Sequence, residues 1–357
     1  MNTTIVGLVA AIASLGAPAT LAAQTGQFVV LLGHDTLAIE QYTRTADRLQ
    51  GELVVRAPRT VHQVYTATFK PGGGGTIERF ELVTHNVSGA PGPAETRATA
   101  RTLPYVGQSY ALVEEVTRAA RAAGGARYTT SMLPPGDTVP LPVTVEARGS
   151  DTLVLNIDGI GPLRARVDST GMILGVSGIG GTSQVIVERV RGLDFAAVGK
   201  SFAPRSLGRL SPPDTVRAHV AGASLTLRYS RPSTRGRVIF GNVVPWNQVW
   251  RTGANEATVL ETSADLRLAG KAVPAGKYSL WTIPAPTGWK LIINSNTGQW
   301  GTAYDAKYDF ARLEMNVEAL QQPVEQFTIA IEPKGNGGVL TLEWDKTRAW
   351  IPFEAKQ

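Results

Sequence analysis

Cysteine is absent from the 357-residue sequence and histidine is scarce. The lack of cysteine excludes disulfides, a lipid-modified cysteine near the N-terminus and thiolate metal ligands. The histidines lie in separate segments, so we expect neither a metal site nor another cofactor. No GxSxG, HExxH or P-loop pattern occurs, which removes the motifs that mark several hydrolase and nucleotide-binding classes. The four histidines are His34, His62, His85 and His219.

Long apolar runs are also missing, apart from one short stretch at the N-terminus. Residues 1–23 contain no Lys, Arg, Asp or Glu, and their apolar part, Ile5 to Leu15, is too short to span a bilayer. Small residues follow and end at Ala22 and Ala23, which predicts a secretory signal peptide over residues 1–23 whose positive charge comes from the α-amino group alone. We therefore expect an exported protein, periplasmic or extracellular, with no membrane span.

The length of the chain predicts two domains, and its hydrophobic content of 43% is enough to build a core in each. The segment 201–213 contains three prolines and a glycine, and all seven tryptophans follow it. We therefore place domains at residues 24–200 and 214–353, with 201–213 as the linker between them.

Short segments that alternate apolar and polar residues dominate residues 24–200. This pattern predicts an antiparallel sheet with one buried and one solvated face. One helix is expected to begin at Ser109 and to end at Gly124, because Leu112, Val113 and Val116 share a face. A sheet curled around one helix is similar to the half-barrel of periplasmic lipoprotein carriers, whose concave face would suit an apolar ligand. The expected strands are 36–44, 51–56, 60–69, 76–84, 127–132, 143–148, 152–157, 163–167, 172–176 and 184–190.

The C-terminal part also consists of short strand patterns, separated by Gly- and Pro-containing turns. Their close and regular spacing predicts a β-sandwich or a flattened barrel, with at most one helical turn near residues 305–309. The expected strands are 215–220, 224–229, 238–240, 257–262, 266–268, 277–283, 289–293, 311–317, 325–331, 338–344 and 347–351.

Positive charge is concentrated after residue 200. Residues 24–200 hold 17 Lys and Arg against 16 Asp and Glu, whereas residues 201–357 hold 18 against 13. Such a basic stretch attracts nucleic acid, anionic lipid, polysaccharide or a carboxylated small molecule, and export makes nucleic acid the least favoured. Ordinary solvated faces explain the same charge equally well. Between residues 201 and 251 the only acidic residue is Asp214, and the arginines are 205, 209, 217, 228, 231, 235, 237 and 251.

The C-terminal part contains a distinctive set of motifs. The most specific is Val-Trp-Arg-Thr-Gly-Ala-Asn-Glu-Ala-Thr at residues 249–258, accompanied by Tyr-Ser-Arg-Pro at 229–232 and Pro-Ala-Gly-Lys-Tyr-Ser-Leu at 274–280. With these motifs the C-terminal part resembles a family of secreted bacterial proteins catalogued as domain of unknown function 2911, although Trp246 stands where the family has tyrosine. The resemblance covers about residues 211–353 and implies export and an all-β domain, with no assigned activity.

The same motif supplies the candidate site. Arginine offers a planar fork of donors for a carboxylate or phosphate, Asn and Glu can bind hydroxyls, and an exposed tryptophan suits a sugar or peptide. We therefore predict a site for a polar or anionic small molecule or glycan. Its expected ligand-binding residues are Arg231, Arg237, Trp250, Arg251, Asn255, Glu256 and Trp300.

Other interpretations of these residues stay open. Arg251 can instead pair with Glu256 or another carboxylate and fix a loop, and the tryptophans can fill the ends of the sandwich. An uncharacterised hydrolase would use Glu256 as general base, together with a distant carboxylate, because Glu261 would face the other side of a strand. A structural or assembly protein of the cell envelope is the third alternative. The oligomeric state is not predicted.

Overall fold

The computed structural model describes residues 23–70, 76–86, 91–97, 102–182 and 184–355. All but the last residue of the expected signal peptide lies outside these ranges. The described part is mainly β-structure, arranged as two separate sheets with two α-helices, which confirms the expected fold class. Within it, neither helix has the length and apolar character needed to traverse a bilayer.

The N-terminal domain is a curved, nearly closed sheet of 13 strands around one helix. The helix, α1 (Tyr110–Ala123), buries Leu112, Val113 and Val116 in one core with the inward-facing strand residues. The strands are β1 (Gln24–Leu32), β2 (Asp35–Arg44), β3 (Arg48–Val55), β4 (Val61–Phe69), β5 (Ile77–Asn86), β6 (Pro91–Arg97), β7 (Leu103–Pro104), β8 (Arg127–Leu133), β9 (Leu141–Ala147), β10 (Thr152–Ile157), β11 (Gly161–Val167), β12 (Ile173–Gly178) and β13 (Ile186–Val190). Across the sheet their order is β6-β5-β4-β3-β2-β1-β13-β12-β11-β10-β9-β8-β7.

A carboxylate from β2 meets the first backbone N–H groups of α1. Glu40 accepts hydrogen bonds from the backbone N–H groups of Tyr110 (2.7 Å) and Ala111 (3.0 Å). It also accepts from the hydroxyl groups of Tyr65 (2.6 Å) and Ser109 (2.5 Å). Ser109 therefore stands at the expected N-cap but donates to Glu40 and does not cap the backbone itself.

The concave face of the sheet, where the sequence suggests room for an apolar ligand, is largely covered by the helix. α1 and the buried strand residues pack together there in one core. Cavities of about 90 Å³ and 270 Å³ border this core near the start of the helix. Both are smaller than ligand pockets of about 300–1,000 Å³.

Four elements of this half are not predicted by the sequence patterns: β1, β6, β7 and a second helix, α2 (Phe195–Phe202). α2 begins where the Asp194 side chain accepts a hydrogen bond from the backbone N–H of Ala197 (3.0 Å). Its phenylalanines pack on Ile39 and Val54, in a cluster separate from the core around α1. The predicted linker thus begins inside α2.

The C-terminal domain is a nine-stranded β-sandwich with one main buried core, which contains Trp289 and Trp344. The equally buried Trp281 packs with Ala257 and Ile292 in a smaller cluster. The strands are β14 (Pro213–Val220), β15 (Ala223–Ser230), β16 (Thr258–Thr262), β17 (Leu266–Leu268), β18 (Lys271–Val273), β19 (Gly276–Ala285), β20 (Gly288–Asn294), β21 (Asp309–Lys334) and β22 (Gly337–Ala355). Their order is β14-β15-β16-β19-β20-β21-β22-β17-β18, and a bridge from Ser233 to Gln326 turns the sheet back on itself.

Two long strands replace four of the short strands expected here. The predicted strands 311–317 and 325–331 are parts of β21, and 338–344 and 347–351 are parts of β22. The pairing of β21 with β22 shifts register between Ala319 and Thr328, where the strand bends. The expected strand 238–240 is irregular, apart from an isolated bridge between Phe240 and Val244, and the helical turn near 305–309 is confirmed as Ala306–Tyr308.

Candidate functional site

The loop from Trp250 to Thr258 is irregular and firmly held. Trp250 exchanges backbone hydrogen bonds of 2.8 Å with Thr282, and the Thr258 hydroxyl donates to the carbonyl of Thr252 (2.6 Å). Thr252 and Asn255 both have positive φ angles, 52° and 60°. These contacts fix the loop and direct the side chains of residues 251, 255 and 256 away from the core.

Those side chains line a cleft of about 980 Å³ between the two domains. The cleft brings together four of the predicted site residues: Arg251, Asn255, Glu256 and Trp300. Its volume lies at the upper end of the usual range for ligand pockets. Its polar lining also includes Thr144, Asn156, Asp158, Thr182, Arg209, Ser211, Ser230 and Thr302.

Arg251 is partly buried in the cleft wall and has no ion pair with any carboxylate of the described residues. Its Nη1 donates to the backbone carbonyl of Asn255 at 3.2 Å. Burial lowers the pKa of Arg251, because desolvation disfavours its charged form and no described anion compensates. The alternative pairing of Arg251 with Glu256 is therefore wrong for this structure.

Asn255 joins the loop to the linker. Its Nδ2 donates to the hydroxyl of Ser230 (3.2 Å) and to the backbone carbonyl of Ser211 (3.4 Å). The carbonyl of Asn255 accepts from Gly301 (3.0 Å) as well as from Arg251. The backbone carbonyl of Asn255 thus positions Arg251, and its side-chain amide lies at the cleft surface.

Glu256 and Trp300 are the exposed members of the group. A backbone bridge joins the two residues, and residue Trp300 is 45% exposed, against 7% for the buried Trp250. Glu256 has no side-chain hydrogen bond or ion pair within the described ranges. A free carboxylate and an open aromatic face therefore lie beside Arg251.

The other three predicted site residues are not in the cleft. Trp250 belongs to the core, where it stacks on Trp344 with ring centroids 5.8 Å apart. Arg231 forms an ion pair with Asp214 (3.3 Å) and donates to the carbonyl of Phe327 (3.0 Å). The contacts of Arg231 hold β14, β15 and β21 together, and neither Trp250 nor Arg231 lines the cleft.

Arg237 binds backbone carbonyls of both domains. It donates to three backbone carbonyls, those of Ser233 (2.8 Å), Thr234 (3.0 Å) and, across the domain boundary, Thr182 (2.8 Å). Burial, together with the charge of Arg235, lowers the pKa of Arg237 to about 10. Three of its five N–H donors are thus used within the protein, and Arg237 does not line the cleft.

The two cleft walls are fixed by contacts between the domains. Arg235 forms an ion pair with Asp35, and its carbonyl accepts from the backbone N–H of His34 (2.9 Å). Gly181 donates to the carbonyl of Val243 (2.9 Å). These contacts and those of Arg237 join the two domains, and the cleft lies between the domains that they hold together.

Sequence reasoning missed the contribution of the N-terminal domain and of the linker to this cleft. Asn156 and Asp158 lie at the end of β10 and in the turn that follows, and Arg209 lies in the linker. The sequence contains the Asp-Gly turn and the linker arginine, but no local pattern indicates that they line the same cleft as Glu256.

Metal binding finds no support in the described residues, among which no group of three or more His, Asp or Glu is arranged to hold an ion. The fold does bring His62 and His85 together on neighbouring strands, with ring centroids 5.7 Å apart. His62 contacts Glu52 at 3.1 Å. This pair lies away from the interdomain cleft, beside α2.

These features define a two-domain β-protein with a charged cleft between its domains. Its C-terminal part, residues 211–353, matches the family described as Protein of unknown function (DUF2911), which confirms the resemblance drawn from the motifs. The match includes Arg251, Asn255, Glu256 and Trp300. It includes none of the cleft residues that the N-terminal domain contributes, such as Asn156 and Asp158. Comparison with the curated proteins gave no match.

Proposed function

We propose that this protein binds a polar, anionic small molecule or glycan in the interdomain cleft, with Arg251 as the anchor for the anion. The observation that carries the proposal is that Arg251 faces the cleft, partly buried, without an acidic partner among the described residues. Burial of an unpaired charge is unfavourable, because the lost hydration is not replaced. An anion in the cleft supplies the missing partner.

The neighbours of Arg251 support a polar ligand with hydroxyl groups. A guanidinium binds a carboxylate or phosphate through two parallel hydrogen bonds. The carboxylate of Glu256 can accept from hydroxyl groups, and the exposed face of Trp300 can pack against a sugar ring. Arg251 thus supplies the charge, and the other two supply contacts for the rest of the molecule.

Tryptophan fluorescence tests the proposal, because Trp300 is more exposed than the tryptophans of the core and lies in the cleft. We expect a saturable change on titration with anionic saccharides and carboxylic acids, and its loss in Arg251→Met. Arg217→Met is the matched control, since Arg217 is exposed on β14 and outside the cleft. A response that persists in Arg251→Met would count against the proposal.

A hydrolase is the second candidate, and one observation favours it. Two carboxylates, Glu256 and Asp158, line the same cleft from opposite domains. Glycoside hydrolysis uses two carboxyl groups across the scissile bond, with one as acid and one as base or nucleophile. If the protein is such an enzyme, Glu256→Gln retains binding and loses turnover of a bound glycan. If it is a binding protein, no turnover is found in either form.

The third candidate, a structural or assembly protein of the cell envelope, assigns Arg251 to the stability of the fold. That role requires a partner for the guanidinium inside the protein, and none is found among the described residues beyond the carbonyl of Asn255. We further propose export through residues 1–23, to the periplasm or the extracellular space. A mature N-terminus near Gln24 in secreted material, found by mass spectrometry, tests this.

A further inference from the structure

The second wall of the cleft comes from outside the part of the chain that matches the family. Asn156 and Asp158 project from the end of β10 and from the turn to β11. Both side chains are exposed, and neither has a hydrogen-bond partner among the described residues. One amide and one carboxylate are therefore available to a ligand that contacts Arg251 on the opposite wall.

The turn that carries this wall is held in place without a ligand. The backbone N–H of Asp158 donates to the carbonyl of Pro142 (3.0 Å), and that of Ile160 donates to Ile157 (3.0 Å). Gly159 has a φ of 75°, which a residue with a side chain adopts only at a cost. A wall that is already ordered spares a ligand the entropic cost of ordering it.

The linker contributes a second cation. Its first half is fastened to the N-terminal domain, where Leu207 donates to the carbonyl of Arg56 (2.8 Å). Its second half is fastened to the C-terminal domain, where Arg231 donates to the carbonyl of Pro212 (2.9 Å). Arg209 lies between these points, lines the cleft and, like Arg251, has no acidic partner among the described residues.

We infer that the cleft recognises a saccharide with a single acidic group: the acid binds Arg251 and Arg209, while Asn156, Asp158 and Glu256 bind hydroxyl groups. This inference rests on the proposed function and adds the class of ligand and the role of the N-terminal domain. The hydroxyl groups of a sugar donate to carboxylates and exchange hydrogen bonds with an amide. The exposed indole of Trp300 then packs against the ring.

The balance of charge disfavours other anions. Two arginines and two carboxylates line the cleft, so its formal charge is zero even though the surrounding segment is basic. A polyanion such as nucleic acid or a polyphosphate would bring negative groups against Asp158 and Glu256, and such like-charge contacts are repulsive. A simple dicarboxylic acid would leave both carboxylates and the amide without donors.

Three probes test the inference on the full chain: aldotriouronic acid, which carries one glucuronic acid on xylobiose; xylotriose, its neutral counterpart; and adipate, which has carboxylates but no hydroxyl groups. By calorimetry we expect aldotriouronic acid to bind at least tenfold more tightly than either of the others. The variants Arg209→Met and Asn156→Ala/Asp158→Asn should each weaken its binding about tenfold. Arg164→Met, on β11 and outside the cleft, should not.

The outcomes separate the inference from the proposed function. If adipate binds as tightly as aldotriouronic acid, or if the N-terminal and linker variants bind like wild type while Arg251→Met does not, the bipartite site is overturned and the proposed function stands. If Arg251→Met binds every anion as wild type does, the proposed function itself fails. Unchanged melting temperatures in the variants show that a loss of binding is not a loss of folding.

Discussion

Gly301 lies directly against the side chain of Arg251. A Cβ atom built on Gly301 would overlap the Cδ of Arg251 and would lie 2.8 Å from its Nη1 and 2.5 Å from the carbonyl oxygen of Asn255. Only a glycine therefore allows Arg251 to follow the cleft wall and reach that carbonyl. The glycine after Trp300 thus accommodates the arginine of the site.

Gly301→Ala is expected to move Arg251 without removing its charge. The added methyl group cannot coexist with the present position of the guanidinium stem, so we expect anion binding to weaken at least tenfold in a fluorescence titration. Gly288→Ala is the matched control, because nothing lies within 4 Å of the corresponding Cβ and the residue is not in the left-handed region. Equal binding by both variants would show that the position of Arg251 is unimportant.

Arg251→Met is expected to leave the melting temperature unchanged or to raise it slightly. The guanidinium is partly buried and has no described anion, so the substitution removes a desolvated charge and only one backbone hydrogen bond. Arg235→Met provides the contrast, because Arg235 forms an ion pair with Asp35 across the domain boundary. We expect it to lower the unfolding free energy by about 1–3 kcal/mol. The account is wrong if Arg251→Met is the less stable of the two in thermal unfolding.

Arg237→Lys should destabilise the protein although it keeps the charge. A single ammonium group cannot reproduce the planar fork that reaches Thr182, Ser233 and Thr234. Carbonyls left without donors cost about 1–3 kcal/mol, so the midpoint of urea unfolding should fall. Arg164→Lys, at an exposed position on β11, is the control and should unfold like wild type. An unchanged midpoint for Arg237→Lys would rule out the bridging role.

Glu40 should make the stability of the N-terminal domain depend on pH. Burial raises the pKa of Glu40 above its usual 4.5, against the opposing effect of hydrogen bonds from Ser109, Tyr65 and the start of α1. A carboxyl group whose pKa is raised in the folded state stabilises the fold most at a pH below its unfolded-state pKa. This stabilisation is lost as the pH rises through the folded-state pKa. The stability of wild type relative to Glu40→Gln should therefore be greater at pH 4.5 than at pH 8 in urea unfolding. A difference that grows with pH would contradict this assignment.

Much of the fold could be predicted because its strands obey a local rule. Most of the N-terminal strands and α1 alternate or repeat their apolar residues as one-sided burial requires. The sequence patterns divide β21 in two because residues 318–325 break the apolar–polar alternation, and the pairing with β22 shifts register in the same segment although the strand continues. β1 is not predicted because it follows directly on the expected signal peptide.

The site could be predicted only in part, because a local motif does not tell which side of the chain faces a cavity. Trp250 and Arg251 are neighbours, yet the first belongs to the core and the second to the cleft. Asn156, Asp158 and Arg209 face this loop only because the two domains dock, and docking depends on contacts such as Arg235 with Asp35. The local sequence of those segments does not predict how the two domains dock.

The most direct test of the central claim is the melting temperature of wild type and of Arg251→Met, each with and without a saturating concentration of aldotriouronic acid. A ligand that binds only the folded protein, present at about 100 times its dissociation constant, stabilises by about 2.7 kcal/mol. We predict a rise of several degrees for wild type and none for Arg251→Met, with the ligand-free variant melting at the same temperature as ligand-free wild type or slightly higher. An equal rise in both, or a lower melting temperature for the ligand-free variant, would contradict the assignment of Arg251 to ligand binding.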